Sequence, residues 1–424
     1  MIRSGRRTLL LAVVALALAI APAARAQRNW ADERWVGTWS AAMQGPISFA
    51  NRTVPNEGFE NQTVRMIVHT TVAGYRARVR LSNAYGAGPL VIGAAHLALH
   101  GTGSAIVPAS DHALTFSGRA SITIPPGAEM LSDAFDMDIP QSGDLVISIY
   151  APGKTGAPTW HSTGLHTTYV SAPGDFTSKT DIPDATTRQS WYWVEGVDVV
   201  AAEQTVAVVT FGDSITDGYR STLDANHTWP DELAQRLLAR KSRGAGPQIA
   251  VLNTGISGNR IWHDAMGSNG LERFGHDALA QAGVRDVIVL LGINDIGFSN
   301  IQGLADQAVS ADDIIAGQKQ FIERAHVRGL RVFGGTLLPF DGANYFSAEG
   351  EAKRVAVNNW VRTGGAYDGV IDFDAAVRDP QHPTKLQAAF DSGDHLHPND
   401  AGYKAMGDAI DLSLFAETKV QKKH

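Results

Sequence analysis

From residue 205 onward, short apolar segments alternate with longer segments that carry helix-start signals, and this alternation constrains the fold more than any other feature of the chain. Each apolar segment has the length of a buried strand. Strands and helices that alternate in this way predict a parallel sheet with helices on both faces, which is an α/β fold. The predicted strands cover residues 205–211, 249–253, 286–291, 331–337 and 370–372.

Helices are predicted between and after these strands, at residues 230–238, 311–327, 349–362 and 401–411. Pro230 suits the first turn of a helix, where the missing N–H of proline has no intrahelical partner to lose. Asp231 and Glu232 follow it, where the positive end of the helix favours acidic side chains. Ser310 and Asp313 have the spacing of a cap at the start of the second predicted helix.

Residues 35 to about 200 follow a different pattern, with short alternating segments broken by Gly, Pro, Asn and Asp. Residues 63–69 and 75–81 alternate at period two, with Gly74 between them, and residues 145–150 form another strand-like segment. Many short strands with few helical stretches predict a β-sandwich or jelly roll. The predicted organisation is thus a signal peptide at residues 1–26, an all-β sandwich domain at 27–200, an α/β domain at 201–416 and a tail at 417–424.

The first 26 residues have the organisation of an export signal. A basic segment that includes Arg6 and Arg7 precedes a short apolar segment at residues 9–21, and residues 24–26 form a small-x-small cleavage site. The apolar segment is too short to span a membrane. We expect the signal to be removed and the protein to reach the periplasm or the cell exterior. The arginine pair leaves twin-arginine export open beside ordinary Sec export.

Charge and cysteine content exclude several classes of function. The formal net charge is −7, and removing residues 1–26 takes away four arginines and no acid, which brings it to −11. An acidic exported protein is a poor candidate for binding nucleic acid or an anionic membrane. The chain has no cysteine, so disulfides, thiolate metal sites and a cysteine nucleophile are excluded. Metal-binding and dinucleotide motifs are absent from the sequence, so we expect no metal and no cofactor.

A Gly-Asp-Ser turn, from Gly212 to Ser214, follows the first predicted strand of the α/β region. Open α/β folds place their active sites at the carboxyl ends of the strands, which makes the hydroxyl of Ser214 a candidate nucleophile. A serine nucleophile needs a base, a group that orients the base, and donors for the oxyanion. Because the same triplet is common in ordinary turns, its meaning depends on whether these partners follow.

Three later loops supply candidates for the partners. Residues 253–259 form a glycine-rich loop whose backbone can approach a substrate closely. Asn294 follows the third predicted strand and offers a side-chain amide. Asp394 and His397 share one short loop near the C-terminus, and a tight turn would bring the carboxylate against one ring nitrogen of the histidine. The other ring nitrogen would then be free to face Ser214.

Together, the four blocks resemble those of the SGNH hydrolases, also called GDSL esterases and lipases, over residues 205–412. The resemblance implies that Ser214 is the nucleophile and a backbone oxyanion donor, that Gly258 is a second backbone donor, and that Asn294 is the side-chain donor. Ile215 stands where the family usually has Leu, which is a conservative departure. The implied fold is a flavodoxin-like three-layer α/β/α domain. More loosely, the preceding region is similar to the β-rich domain of many exported bacterial esterases.

The resemblance also implies that Asp394 and His397 complete a catalytic triad, and it leads to an expected function. We expect an exported serine esterase, a carboxylic-ester hydrolase that acts through an acyl-enzyme. Acetyl or other short acyl esters are the expected substrates, with cell-wall polysaccharide as the favoured alcohol. A lipase or arylesterase of the GDSL type is one alternative, and a carbohydrate-binding protein with an inactive hydrolase domain is another.

Several neighbouring residues have two interpretations. His395 competes with His397 as the base, although adjacent side chains in extended structure point apart, which favours His397. Asp213 is interpreted as a structural hydrogen-bonding residue rather than a second base. Residues 260–263 either line the substrate cleft or pack on the surface. Residues 191–193, with the sequence Trp-Tyr-Trp, form either a sugar-stacking platform or part of the core, and the core is the commoner role of alternating aromatic residues.

Overall fold

The computed structural model describes residues 33–49, 52–54, 56–242, 247–301 and 303–416. Within this part of the chain, the residues from Arg34 onward pack together as one unit. The predicted signal peptide and the predicted tail lie outside the described residues. Among the residues that are described, no helix is both long and apolar enough to cross a membrane. The domain boundary at residue 200 stays a prediction.

The described part of residues 35–200 consists mainly of short strands, as the alternating pattern predicted. They are β1 (Trp35–Ser40), β2 (Ser48–Phe49), β3 (Arg52–Thr53), β4 (Gln62–His69), β5 (Gly74–Ser82), β6 (Leu90–Ile92), β7 (Ala94–Leu99), β8 (His112–Ala113), β9 (Ile122–Ile124), β10 (Glu129–Leu131), β11 (Phe135–Ile139), β12 (Asp144–Ala151), β13 (Trp160–His161), β14 (Thr168–Pro173), β15 (Thr186–Arg188), β16 (Trp191–Tyr192) and β17 (Val194–Val200).

Two antiparallel sheets dominate this region and form the predicted sandwich. One sheet has the order β1-β17-β5-β10, with β11 also paired to β5, and the other has the order β15-β14-β4-β12-β7-β8. Their inner faces share one hydrophobic core, to which Val64 and Met66 contribute from β4 and Val79 and Leu81 from β5. Strands β4 and β5 are consecutive in the chain but lie in different sheets, so the connection at residues 70–73 crosses from one sheet to the other.

The region from residue 206 onward is the predicted three-layer α/β/α domain. Its parallel strands have the order β19-β18-β20-β21-β22, which is the flavodoxin-like arrangement. The central strands are buried on both faces because helices cover the sheet, which explains their continuous apolar sequences. The strands are β18 (Val206–Gly212), β19 (Ile249–Asn253), β20 (Val284–Leu290), β21 (Arg331–Gly335) and β22 (Gly369–Ile371).

The four predicted helices are present, and sequence analysis missed four shorter ones in the described part of the chain. Ser310 and Asp313 form the predicted capping box at the start of α5. Three of the missed helices have only four or five residues and complete barely one turn, and the fourth has eight, so they leave too little periodicity to be recognised in a sequence. The helices are α1 (Ser214–Asp217), α2 (Trp229–Ser242), α3 (Gly270–Asp277), α4 (Ile293–Gly297), α5 (Ala311–His326), α6 (Ala348–Thr363), α7 (Phe373–Val377) and α8 (Asp400–Ala409).

Candidate active site

The Gly-Asp-Ser turn lies where strand β18 passes into helix α1. Gly212 ends the strand, and a side chain there would collide with Thr216, whose Oγ1 lies 2.2 Å from an ideal Cβ position. Asp213 caps the helix, because its carboxylate accepts a hydrogen bond from the backbone N–H of Ile215 at 3.1 Å. Ser214 is therefore the first residue of α1, at the carboxyl end of a central strand, and it is 6% exposed.

Ser214, His397 and Asp394 form a continuous hydrogen-bonded series. Ser214 Oγ lies 2.7 Å from His397 Nε2, and His397 Nδ1 lies 2.8 Å from Asp394 Oδ2. The second oxygen of Asp394 accepts hydrogen bonds from the backbone N–H groups of Leu396 and His397, at 3.1 and 2.9 Å. These bonds form the tight turn that brings the carboxylate against the imidazole three residues later. The hydroxyl, imidazole and carboxylate thus stand in the order that serine hydrolysis requires.

The contact with Asp394 decides which ring nitrogen of His397 carries a proton. Burial raises the pKa of Asp394, but hydrogen bonds from the side chain and backbone of His397 outweigh it, and the pKa lies well below its usual range. An ionised carboxylate can only accept hydrogen bonds, so Nδ1 of His397 carries the proton and Nε2 can accept the proton of Ser214. Arg220 Nε lies 3.3 Å from Asp394, and the edge of Tyr219 packs on the imidazole with ring centroids 4.9 Å apart.

His395 is placed differently from His397. Its Nδ1 lies 2.6 Å from a carboxylate oxygen of Asp391, and its side chain is about half exposed. Its backbone φ is 61°, in the left-handed region, which fits a position inside a tight turn. Of the two histidines on this loop, the structure therefore brings His397 against the serine hydroxyl.

The three predicted oxyanion donors follow three adjacent strands of the sheet, β18, β19 and β20. The backbone N–H groups of Ser214 and Gly258 donate to no acceptor in the described part of the chain, so both are available to a ligand. The Asn294 amide donates one hydrogen bond to the carbonyl of Asn259 at 3.1 Å. Because a side-chain amide has two N–H groups, its second one remains available. Three donors at the carboxyl ends of adjacent strands can together stabilise an oxygen that carries a negative charge.

The conformation of Gly258 requires glycine. Its φ is 78°, a region that residues with a side chain rarely adopt. A Cβ at this position would also lie 2.4 Å from Cγ of Met266, well inside van der Waals contact. The sequence identified Gly258 only through its resemblance to the family, since turn glycines and oxyanion glycines have the same local signature.

The Asn294 side chain is held from both ends. Its carbonyl oxygen accepts a hydrogen bond from the hydroxyl of Tyr345 at 3.2 Å, while its amide group binds Asn259. The next residue, Asp295, accepts hydrogen bonds from the backbone N–H groups of Ile261 and Trp262, at 2.8 and 3.1 Å. Burial raises the pKa of Asp295 to about 6. The loops after β19 and β20 are therefore tied to each other behind the predicted oxyanion donors.

A buried ion pair connects the β-sandwich to the loop that carries Gly258, and sequence analysis missed it. Asp217 in α1 accepts hydrogen bonds from the N–H and hydroxyl of Ser257, at 2.9 and 2.7 Å. Its other oxygen lies 3.0 Å from Nε2 of His161, whose Nδ1 lies 2.8 Å from the carbonyl of Ala42. Both ring nitrogens thus face acceptors, so His161 is doubly protonated. Burial lowers the pKa of His161, but the charge of Asp217 outweighs it and the pKa is raised.

Arg273 is a second supporting residue that sequence analysis did not single out. Its guanidinium is buried and donates to the carbonyls of Gly212 and Thr254, both at 2.8 Å, and to the side chain of Asn259 at 2.9 Å. It also pairs with Asp277 at 2.9 Å. Arg273 therefore joins the turn that carries the candidate nucleophile to the loop of the second oxyanion donor. A lone arginine on a short helix carries no sequence signal of such a role.

The aromatic residues before the α/β domain belong to the core. Trp191, Tyr192 and Trp193 are all buried, and Trp193 is fully so. They pack on Trp39 and Phe59 in edge-to-face contacts with ring centroids about 5 Å apart. A sugar-stacking platform must be exposed to its ligand, so the structure supports the core interpretation of this segment.

Arg260 and Trp262, for which the sequence left a cleft-lining and a surface-packing interpretation open, lie in different environments. Arg260 is buried, and its guanidinium donates to the carbonyl of Asp264 at 2.5 Å. Trp262 is 38% exposed, and its indole N–H donates to the carbonyl of Asp313 at 2.9 Å. Arg260 is thus a packing residue of the loop, whereas Trp262 presents part of its ring at the surface.

Comparison with known proteins finds a match to one family model within the α/β region. Residues 210–405 match the model of the GDSL-like lipase/acylhydrolase family. No curated protein is detectably similar to the chain. Three solved structures similar to it are a lipolytic protein of the G-D-S-L family from Desulfitobacterium hafniense, a variant of an acetylxylan esterase from Geobacillus stearothermophilus and an aryl esterase from M. smegmatis.

Each of the three structures corresponds to about half of the chain. The Desulfitobacterium protein is 21% identical over 48% of this chain and 97% of its own, with a TM-score of 0.37. The Geobacillus enzyme is 20% identical over 48% of this chain and 91% of its own, with a TM-score of 0.38. The mycobacterial esterase is 17% identical over 48% of this chain and 95% of its own, with a TM-score of 0.38.

Proposed function

We propose, from the membership of residues 210–405 in the GDSL-like lipase/acylhydrolase family, that this protein is an exported serine esterase acting on carboxylic esters. The observation that carries the proposal is the hydrogen-bonded series from Ser214 Oγ through His397 to Asp394, with contacts of 2.7 and 2.8 Å. A serine hydroxyl is a weak nucleophile until a positioned base takes its proton. These contacts support His397 as such a base and Asp394 as the group that orients it.

The proposed reaction proceeds through an acyl-enzyme. His397 takes the proton of Ser214 as its oxygen attacks the ester carbonyl, and Asp394 stabilises the resulting imidazolium. The N–H groups of Ser214, Gly258 and the Asn294 side chain hold the negative oxygen of the tetrahedral intermediate. His397 then protonates the leaving alcohol. Water, deprotonated by the same imidazole, attacks the acyl group and releases the acid.

Acetyl and other short acyl groups are the proposed substrates, carried on cell-wall polysaccharide. Two features support a small acyl group. Ser214 and His397 are only 6% and 8% exposed, which agrees with a small acyl group at the hydroxyl. The sequence also lacks the long apolar segment expected of a lipase lid. The proposal of export is based on the predicted signal peptide. The proposal of a polysaccharide substrate is based on that export and on the β-sandwich that accompanies the hydrolase domain.

A panel of p-nitrophenyl esters from acetate to octanoate, together with acetylated xylan, tests the proposal. Wild type should hydrolyse the short esters, Ser214→Ala should lose activity on all of them, and Ser242→Ala should behave as wild type. Ser242 is a suitable control because it is an exposed serine at the end of α2 whose hydroxyl, among the described residues, bonds only to the carbonyl of Ala239. Activity that rises from acetate to octanoate would instead support the lipase alternative.

Two further measurements separate the remaining alternatives. A fluorophosphonate probe labels an activated serine, so equal labelling of wild type and Ser214→Ala would contradict the serine-hydrolase proposal and support an inactive carbohydrate-binding protein.

Fractionation of cells that express the full chain tests export. Recovery of the unprocessed chain in the cytoplasm alone would contradict the exported part of the proposal.

A further inference from the structure

A cluster of two glutamates and one histidine lies apart from the candidate triad, between one sheet of the β-sandwich and helix α3. Glu129 comes from β10, Glu195 from β17 and His276 from α3. Each of the three side chains offers one atom that could bind a metal ion, and these three atoms lie within 4.8 Å of one another. Nε2 of His276 contacts Glu129 directly and lies 3.4 Å from Oε1 of Glu195. Because 66 and 81 residues separate consecutive members of the cluster, no sequence motif could reveal it.

The imidazole of His276 is held as metal-binding histidines usually are. Its Nδ1 lies 2.7 Å from Oδ1 of Asp277, so the N–H on that side donates to a carboxylate. This arrangement fixes the ring and directs Nε2 towards the two glutamates. A carboxylate behind a histidine in this way orients metal ligands and raises their basicity.

Glu195 supplies an independent observation. Its side chain is 1% exposed, and neither carboxylate oxygen has a hydrogen-bond partner in the described part of the chain. The nearest cations are Nε2 of His276 at 3.4 Å and Nη1 of Arg80 at 3.5 Å, both beyond good hydrogen-bond geometry. Arg80 also donates to Gln281 at 2.5 Å and lies 3.6 Å from Asp198, so it is shared among three partners. A buried carboxylate in this state is stabilised either by binding a proton or by a further cation.

The cluster is accessible to ions from solvent. A pocket of about 140 Å³ is lined by Glu129 and His276, and also by Glu272 and Asp277, which add negative charge to its wall. The side chains of Glu129 and His276 are 40% and 41% exposed, whereas Glu195, within reach of His276, is buried. A hydrated cation can therefore enter from the pocket and meet two carboxylates and an imidazole.

We propose that Glu129, Glu195 and His276 bind a divalent transition-metal ion of the zinc class, with water completing its coordination. One imidazole nitrogen and two carboxylate oxygens are a ligand set that zinc accepts, whereas calcium and magnesium prefer oxygen alone. The ion would link the β-sandwich to α3. Asp277, which orients His276, also binds Arg273, and Arg273 contacts the turn of the candidate nucleophile. The metal therefore serves as a structural link between the two regions.

Titration calorimetry on the full chain, without an affinity tag and after removal of metal by a chelator, tests the site with zinc chloride. Wild type and Ser214→Ala should each bind one equivalent, because the site does not depend on the nucleophile. Glu195→Gln and His276→Gln each remove a proposed ligand and should lose more than ten-fold in affinity, since loss of a residue that only orients a ligand already costs about 10- to 100-fold. Zinc at a concentration that saturates wild type should raise the unfolding temperature of wild type, since an ion that binds only the folded state stabilises it, and the same concentration should raise that of Glu195→Gln less.

His326→Gln is the matched control. His326 Nε2 lies 2.9 Å from Asp368, and its side chain is 40% exposed, so it resembles His276 in exposure and in having a carboxylate partner. His326→Gln should bind zinc as wild type does. If wild type binds no zinc, or if Glu195→Gln and His276→Gln bind it as tightly as wild type while remaining folded by circular dichroism, the metal site is refuted. The cluster would then be an ion pair that shares a proton.

Discussion

Asp213, which caps the helix of the candidate nucleophile, should make the stability of this protein fall between mildly acidic and neutral pH. Its side chain is 1% exposed, and one carboxylate oxygen accepts only from the N–H of Ile215. The other oxygen has no hydrogen-bond partner among the described residues. Burial raises the pKa of Asp213 to about 7, and the nearby charge of Asp295 adds to the effect. Replacement by Asn retains the cap acceptor and removes the titration.

The magnitude follows from the difference between the folded and unfolded pKa. The folded value of about 7 lies about three pH units above the ordinary value of 3.8, and each unit corresponds to about 1.4 kcal/mol. Between pH 4 and 7 the folded protein binds more protons than the unfolded chain, so the stability of wild type falls as pH rises through this window. The amide that replaces the carboxyl group in Asp213→Asn does not titrate. Relative to wild type, this variant should therefore gain up to about 4 kcal/mol in unfolding free energy from pH 4 to pH 8.

Urea denaturation at pH 4, 5, 6, 7 and 8, followed by tryptophan fluorescence, measures this difference. Asp411→Asn is the control, since Asp411 also caps a helical turn and accepts from a backbone N–H two residues later, but is exposed. Hydrogen bonds from Ser413 lower the pKa of Asp411, so its variant should show no such gain. A difference between Asp213→Asn and wild type that stays constant or falls with pH would refute the reasoning.

Three further predictions concern catalysis. Asn294→Ala should lower kcat about 100- to 1,000-fold with KM little changed, as for other side-chain oxyanion donors; a change in KM alone would contradict this role. Asp394→Asn would offer an N–H to Nδ1 of His397 and so protonate Nε2, and kcat should fall on the order of 10⁴-fold, measured with p-nitrophenyl acetate. His161→Gln should weaken the support that Asp217 gives to the oxyanion loop and lower kcat about 10- to 100-fold. Thermal unfolding of each variant separates these effects from loss of folding.

Features that depend on neighbouring residues were predictable from the sequence. The central parallel strands were found because a strand buried on both faces is a continuous apolar segment, and the cap of α5 was found because Ser310 and Asp313 are three residues apart. The same holds for Asp394 and His397, whose separation within one turn indicated that they could pair. Their roles in catalysis stay predictions until the variants are tested.

Features that depend on distant residues were not predictable. His161 and Asp217 are 56 residues apart and come from different regions of the fold, so nothing in either local sequence indicates their ion pair. The separation of β4 and β5 into opposite sheets also escaped prediction, because their alternating patterns fit either sheet equally well.

The sequence by itself determined which residues could supply a nucleophile, a base and oxyanion donors, because those properties belong to the side chains and to short turns. Tertiary structure alone decided which of them meet. It placed His397 rather than His395 at Ser214, buried the aromatic residues 191–193 in the core, and assembled Glu129, Glu195 and His276 around one point. The physical reason is that hydrogen bonds and ion pairs act over a few ångströms, and only packing of the sheets and helices sets those distances.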